Sequence, residues 1–288
     1  MTLDEEISTK RYFHSVLIRL RGAKFLDPFI ILLRRLGIRN VSAPKINLHF
    51  QELGIHLVHF VTQDTFQTNL PCIYQPHDLQ HEHFPHFFSK KEIDTRRRLY
   101  RMAIHQSNFT ILSSKSANND FQTFYPEFEY KFGIVPQPAK SLEFNQAKPS
   151  KILGELYGEY FLYPAAVWPH KNHSKLLEGF SEFLMTHPDR KLILCGPRTD
   201  SDVGLTRIIQ KLDLESNVVR FGYVNSEILK QLYNDAKAVI IPSLFEAGSF
   251  PIWEAFGFEK LVAVSNIQSL ISQAQNAAIF FDPNSSQD

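Results

Sequence analysis

Short apolar runs alternate along this chain with longer segments in which apolar residues recur at helical spacing. Such alternation is typical of a parallel sheet with helices on both faces. Ser89 has the position of a helix N-cap, and Glu92 three residues later completes a capping box. The first half is therefore predicted to form one helix over 89–107 and strands at 56–62, 71–75, 109–114 and 132–137.

The second half of the chain repeats the alternation. Segment 136–151 holds three prolines and little apolar periodicity, which is typical of an interdomain linker. We therefore predict an α/β fold of two doubly wound domains, with the N-terminal one at 1–140 and the C-terminal one at 141–288. The C-terminal domain is predicted to contain strands at 160–165, 191–196, 218–224, 238–243 and 261–266, and helices at 174–186, 205–212, 226–236 and 250–256.

Composition and charge exclude several classes of protein. The 288 residues are 43% hydrophobic and 21% charged, as in globular proteins. Because 31 Lys+Arg balance 30 Asp+Glu, we expect no nucleic-acid binding. The two cysteines, Cys72 and Cys195, lie in apolar runs and are expected to be buried and reduced, which favours a cytoplasmic protein.

Membrane insertion and export are not expected from the sequence. The longest apolar run, at 29–33, ends at two arginines and is far shorter than a membrane-spanning helix. The acidic N-terminus lacks the features of a secretion signal. Residues 1–40, however, carry eight Lys/Arg against four Asp/Glu. That segment is either a solvated helix face or a peripheral contact with an anionic membrane surface, and the sequence leaves both interpretations open.

Two carboxylates bracket a predicted helix start after the strand at 238–243. Glu246 and Glu254 are separated by seven residues, with Gly248 and Ser249 in the turn between them. Free backbone N–H groups at a helix N-terminus bind anions, so a diphosphate fits this turn. Glu254 is suited to accept hydrogen bonds from ribose hydroxyls and Glu246 from a sugar. Helix capping and surface charge are the structural alternative.

A lysine stands at a second predicted helix start. Lys171 precedes Asn172 and a helix for which Ser174 is the expected cap. Its ammonium could add positive charge for a phosphate at the same end of the sheet. The alternative is a lysine that is merely exposed.

Two other polar clusters are interpreted as local structure. Asp200, Ser201 and Asp202 resemble a short metal-binding motif, but they lie in a polar turn where such residues cap a helix. For a second cluster a zinc or iron site is the alternative, and it is disfavoured because the spacing follows no common ligand signature and a proline interrupts it. That cluster consists of His77, Asp78, His81, Glu82, His83 and His86.

Four strings together resemble the retaining family 4 glycosyltransferases: PSLFEAGSFPIWEAFG, WPHKNH, RFGYV and YQPHDLQHEHFP. The resemblance is densest over 163–283, fair over 55–136 and weak over the first fifty residues. It implies a GT-B fold of two Rossmann-like domains that face a cleft. It also implies a nucleoside-diphosphate sugar donor, a glycan or glycolipid acceptor, retention of anomeric configuration, and no metal or other cofactor.

The resemblance also implies a role for each matching residue. Lys171 would bind the diphosphate, Glu246 the transferred sugar and Glu254 the ribose, while His77 would lie near the reacting centre. For His77 the alternative is a loop histidine bonded to backbone. The remaining donor-binding positions would be Asn172, Tyr223, Val224, Gly248, Ser249 and Phe250.

Departures from the family pattern leave the activity open. Ala165 and Ala166 occupy the region where many members carry an arginine before the lysine. Both ends look short, so we expect an incomplete N-terminal domain. The favoured hypothesis is a cytoplasmic transferase of polysaccharide biosynthesis, working at the inner membrane surface if the basic segment docks there. The alternatives are a noncatalytic nucleotide-sugar-binding remnant or partner subunit, and epimerase-like chemistry on the same fold.

Overall fold

A computed structural model describes residue 50 and residues 52–136, 157–199 and 201–288. The basic segment at 1–40, Asp200 and nearly all of the predicted linker at 136–151 lie outside these ranges.

The described strands form two separate parallel sheets, in agreement with the predicted α/β class. The first sheet has four strands in chain order, each hydrogen-bonded to the next. Its strands are β1 (Val58–Phe60), β2 (Cys72–Tyr74), β3 (Phe109–Leu112) and β4 (Phe132–Ile134).

The second sheet has six parallel strands in the order β10-β9-β8-β5-β6-β7. From β5 the chain first adds strands on one side, and then crosses to the other side for β8. The strand order therefore reverses between β5 and β8. The strands are β5 (Tyr160–Pro164), β6 (Lys191–Cys195), β7 (Val218–Gly222), β8 (Ala238–Ile241), β9 (Leu261–Ser265) and β10 (Ile279–Phe281).

Eight α-helices connect these strands within the described ranges. The first four are α1 (Gln80–His83), α2 (Lys90–Gln106), α3 (Lys115–Phe124) and α4 (His173–Leu184). The others are α5 (Asp202–Lys211), α6 (Ser226–Asp235), α7 (Phe250–Gly257) and α8 (Gln268–Ala274).

Local sequence signals predicted some helix ends correctly and others wrongly. The capping box of α2 is confirmed: the Ser89 hydroxyl accepts from the Glu92 N–H, and the Glu92 carboxylate accepts from the Ser89 N–H at 2.8 Å. The predicted Ser174 cap of α4 is wrong, because the helix begins at His173 and its N-cap is Asn172. Helices α1, α3 and α8 and strand β10 were not predicted.

Each sheet has its own apolar core, and each core contains one of the cysteines. Cys72 and Cys195 are free and buried, as predicted. Burial raises the pKa of the Cys195 thiol to about 12, so this thiol stays protonated and inert at neutral pH. Among the described helices, none combines the length and apolar character needed to cross a membrane.

Candidate functional site

The reversal of strand order in the six-stranded sheet defines a crevice between β5 and β8. In open α/β sheets ligands bind at such a point, outside the carboxyl ends of the strands. The loop after β5 carries Lys171, and the loop after β8 carries Glu246. The two loops are joined directly, because the Leu244 N–H donates to the His170 carbonyl at 2.8 Å.

Lys171 and Glu246 form an ion pair across this crevice. Lys171 Nζ lies 2.5 Å from Glu246 Oε1. The Glu246 side chain is 8% exposed and that of Lys171 is 21% exposed, so water screens the pair less than it would a surface pair. An anion entering the crevice would therefore compete with Glu246 for the lysine ammonium.

Two buried hydroxyls support the pair, and sequence analysis missed both. The Ser243 hydroxyl donates to Glu246 Oε1 at 2.7 Å. The Tyr163 hydroxyl donates to the Lys171 carbonyl at 2.8 Å and lies 3.4 Å from Ser243 Oγ. Tyr163 lies near the end of β5, and Ser243 follows β8. The pairing of these two strands therefore brings the two hydroxyls together.

Asn172 has a structural task in this loop. Its backbone is left-handed, with φ 59°, a conformation that asparagine tolerates better than most residues. Its side-chain amide donates to the carbonyls of Pro242 and Pro283 at 3.1 and 2.7 Å. Both amide hydrogens are thus engaged, which ties the Lys171 loop to the segments after β8 and β10.

Two histidines flank Lys171 in sequence, and both have a lowered pKa. Burial, together with the charge of Lys171, lowers the pKa of His170 to about 4. The same two causes lower the pKa of His173 to about 4. The His173 ring packs against Tyr163 at 4.7 Å, and the Ala165 backbone lies near it without forming a hydrogen bond. Both rings are therefore neutral near pH 7.

Glu254 lies on α7, downstream of the Glu246 loop, and is 8% exposed. The buried hydroxyl of Tyr233 on α6 donates to Glu254 Oε2 at 2.7 Å. Oε1 receives no hydrogen bond from any other residue in the described ranges. The carboxylate is thus held from the core side, through a partner that sequence analysis missed.

The turn before α7 differs in part from the free anion-binding turn that the sequence suggested. The Ser249 N–H donates to Gln273 Oε1 at 2.9 Å, and the Ser249 carbonyl accepts from Gln273 Nε2 at 2.6 Å. A ligand would have to displace Gln273 to use the Ser249 amide. Gly248 has no such clamp among the described side chains, and Phe250 is 41% exposed.

The remaining predicted site residues lie in loops that follow strands. His77 is exposed on the loop after β2 of the four-stranded sheet. Tyr223 is 80% exposed after β7, and Val224 beside it is partly buried. No hydrogen bond within the described ranges joins any of these three residues to Lys171 or Glu246.

The residues before and after Glu246 both contact the N-terminal half of the chain. The Phe245 ring packs against His83 and Phe84 of the N-terminal half, with centroids 5.3 and 6.1 Å away. The Ser114 hydroxyl donates to the Ala247 carbonyl at 3.1 Å. Residues of the N-terminal half therefore contact the loop that carries Glu246.

Three residues of the histidine cluster, His81, Glu82 and His83, have neighbours within the protein. His81 is fully buried, and burial lowers its pKa to about 4, so its 3.4 Å approach to Glu82 is not an ion pair at neutral pH. Glu82 instead binds Arg97, and His83 binds Asp120 at 3.0 Å. The described residues contain no group of three or more potential metal ligands.

The acidic turn before α5 is also local structure in its described part. Asp202 accepts from the Thr199 N–H at 2.8 Å and pairs with Arg220 on β7. Both oxygens of this carboxylate are therefore engaged within the protein.

The comparisons with known proteins concern the family and the fold of the chain. The family model described as glycosyl transferases group 1 matches residues 147–288. The O-antigen chain mannosyltransferase RfbU of Salmonella typhimurium is 26% identical over 207 residues, which cover 72% of this chain and 55% of that protein. The O-antigen chain mannosyltransferase B of Escherichia coli is 33% identical over 129 residues, which cover 43% of this chain and 33% of that protein.

Among solved structures, HepE from Anabaena in complex with UDP and glucose superposes with a TM-score of 0.70. That match is 19% identical and covers 90% of this chain and 77% of HepE. The chain spans about half the length of RfbU and a third of the E. coli protein. Residues 147–288 match the glycosyl transferases group 1 model, and the chain, which is homologous to O-antigen mannosyltransferases, has the fold of the GT-B glycosyltransferases.

Proposed function

We propose that this protein transfers a sugar from a nucleoside diphosphate to a hydroxyl of a glycan or glycolipid, with retention of anomeric configuration. The observation that carries the proposal is the Lys171–Glu246 pair at the strand-order reversal, inside the segment that matches the family. A cation and a carboxylate there suit a diphosphate and a sugar hydroxyl respectively.

In this reaction the bond between the anomeric carbon and the diphosphate oxygen breaks, and its electron pair leaves with the diphosphate. The Lys171 ammonium moves from Glu246 to this oxygen and stabilises the developing charge, which is the step that electrostatic catalysis accelerates. The acceptor oxygen then bonds to the anomeric carbon on the same face. Its proton passes to the departing diphosphate, so no group on the opposite face is required.

Glu246, once it has released Lys171, accepts a hydrogen bond from the transferred sugar. It keeps the Ser243 hydroxyl as a donor, so the carboxylate is not left without a partner. Glu254 accepts from the ribose hydroxyls, and the loop after β7 with Tyr223 and Val224 flanks the base. His77 approaches from the N-terminal half, on the acceptor side.

The relatives support the substrate class. RfbU and the E. coli protein are named as O-antigen chain mannosyltransferases, and HepE was solved with UDP and glucose. We therefore propose a hexose donor and an acceptor of the cell-surface polysaccharide type. The positive charge that the diphosphate needs is assigned to Lys171, and no metal is assigned to the reaction.

The test is a transfer assay with purified protein and a panel of uridine and guanosine diphosphate hexoses, offered with lipid-linked oligosaccharide acceptors. Release of nucleoside diphosphate with formation of an α-linked product from an α-linked donor is the expected result. EDTA should leave the rate unchanged. Binding of donors without transfer to any acceptor would contradict the proposal and favour a noncatalytic nucleotide-sugar-binding role.

A further inference from the structure

We propose that Tyr233 is a positioning residue that fixes the Glu254 carboxylate for the ribose of the donor. The inference rests on the proposed function and extends it to a residue outside the binding surface. Tyr233 is fully buried, and its hydroxyl meets Glu254 Oε2 at 2.7 Å.

Ring packing also holds the phenol in place. The Tyr233 ring stacks on Phe258 with centroids 5.4 Å apart and an interplanar angle of 2°. Phe258 caps the end of α7, where its N–H donates to the Glu254 carbonyl at 3.1 Å. Tyr233 thus contacts the end of the helix that carries Glu254 as well as the carboxylate itself.

The direction of the hydrogen bond leaves one carboxylate oxygen for a ligand. Burial raises the pKa of Tyr233, and the charge of Glu254 raises it further, so the phenol keeps its proton and donates it. Oε2 receives this proton, whereas Oε1 receives no hydrogen bond from the rest of the described structure. A carboxylate held in this way presents its second oxygen without first losing side-chain freedom.

The expected loss of affinity follows from the cost of ordering the Glu254 side chain when a ligand binds. Ordering one flexible side chain on binding costs a measurable part of the affinity, and a preorganised side chain avoids most of that cost. Removing the phenol hydroxyl should therefore weaken nucleoside diphosphate binding by about 3- to 10-fold.

A matched control lies next to Tyr233 in the same core. Tyr160 is also fully buried, and its hydroxyl donates to the Leu232 carbonyl of α6 at 2.9 Å. Tyr160→Phe and Tyr233→Phe each remove one buried hydroxyl bonded to a neighbouring group. Only Tyr233→Phe removes a hydrogen bond to Glu254.

Titration calorimetry of the full chain with UDP and GDP, and with their 2′,3′-dideoxy forms, tests the inference. Tyr233→Phe should raise Kd for the ribonucleotide that the wild type binds and leave Kd for its dideoxy form nearly unchanged. Tyr160→Phe should leave both values unchanged, although both variants lower Tm.

Equal effects of Tyr233→Phe on the two ligands, or no effect on either, would overturn the inference. Glu254→Gln separates this failure from that of the proposed function. If Glu254→Gln weakens ribonucleotide binding and Tyr233→Phe does not, only the role of Tyr233 is wrong. If neither variant changes Kd, the assignment of Glu254 to the ribose is itself wrong.

Discussion

The two carboxylates of the site are held in opposite ways. Glu246 lies on a loop, where Lys171 binds it from across the crevice and Ser243 binds it from its own loop. Glu254 lies on a helix, and Tyr233 holds it from the apolar core. A pair formed between loops can exchange partners when an anion arrives, whereas a carboxylate fixed in the core cannot. We therefore propose that Glu246 belongs to the reacting centre and that Glu254 anchors the donor.

Removing the Lys171 ammonium should have the largest effect on the reaction. We expect Lys171→Ala to lower kcat by about 10²- to 10³-fold, since a donor at the developing charge is worth about 3–4 kcal/mol. The measurement is steady-state transfer with the best donor of the panel.

Lys175→Ala is the matched control for that variant. Lys175 pairs with Glu178 at 2.5 Å on α4, where the two side chains are 32% and 44% exposed. An exposed pair contributes little, so kcat should not change. Equal losses in the two variants would contradict the role of Lys171.

Acidification should disturb the Glu246 side of the site, where His173 is buried at 4% exposure. Its pKa of about 4 lies below the ordinary value of 6.5, so the unfolded chain takes up the proton first. The contribution of the neutral His173 ring to the free energy of unfolding is complete above pH 6.5 and decreases as the pH falls towards 4. The expected loss is up to about 3 kcal/mol of unfolding free energy.

Urea unfolding between pH 7 and 4 measures this loss. His173→Phe should reduce the pH dependence, whereas the same change at the exposed His187 should not. An unchanged slope in His173→Phe would contradict the buried neutral imidazole.

Substituting the carboxylates one at a time should separate their roles. Glu254→Ala should weaken nucleoside diphosphate binding by about 1–3 kcal/mol, because a charged hydrogen bond is lost. Glu246→Gln should lower kcat instead, with less change in that affinity, because Glu246 is proposed to contact the transferred sugar. Calorimetry and steady-state kinetics on both variants measure the contrast. If both variants changed affinity and kcat in the same way, the two glutamates would not have separate roles.

The smallest effect is expected where the N-terminal half contacts the Glu246 loop. Phe245→Leu removes the ring contacts with His83 and Phe84 and should cost about 0.5–1.5 kcal/mol in kcat/KM, without changing nucleotide affinity. Phe183→Leu is the control, because it removes a similar ring contact outside the site. Phe183 of α4 stacks on His187, with ring centroids 4.4 Å apart. A loss of nucleotide affinity in Phe245→Leu would show that this loop serves the donor rather than the transferred sugar.

The sequence predicted what depends on neighbouring residues. Most strands and helices followed from apolar periodicity, and the capping box of α2 followed from Ser89 and Glu92. The long-range contacts of Asn172 did not follow from its neighbours, because its amide binds carbonyls 70 and 111 residues away. No local pattern contains that information.

The candidate site likewise contains residues that motifs predicted and residues that only tertiary packing reveals. Lys171 and Glu246 were singled out separately from short motifs, and their contact depends on the pairing of β5 with β8. Ser243, Tyr163 and Tyr233 carry no motif of their own. Their roles follow from partners that tertiary packing supplies, so sequence reasoning had no means to find them.

The most direct test of the central claim is a crystal structure of the protein with the nucleoside diphosphate that it binds most tightly. The account predicts the diphosphate on Lys171 Nζ, with the Lys171–Glu246 pair separated and a ribose hydroxyl on Glu254 Oε1. A diphosphate bound elsewhere, with the Lys171–Glu246 pair intact, would contradict it.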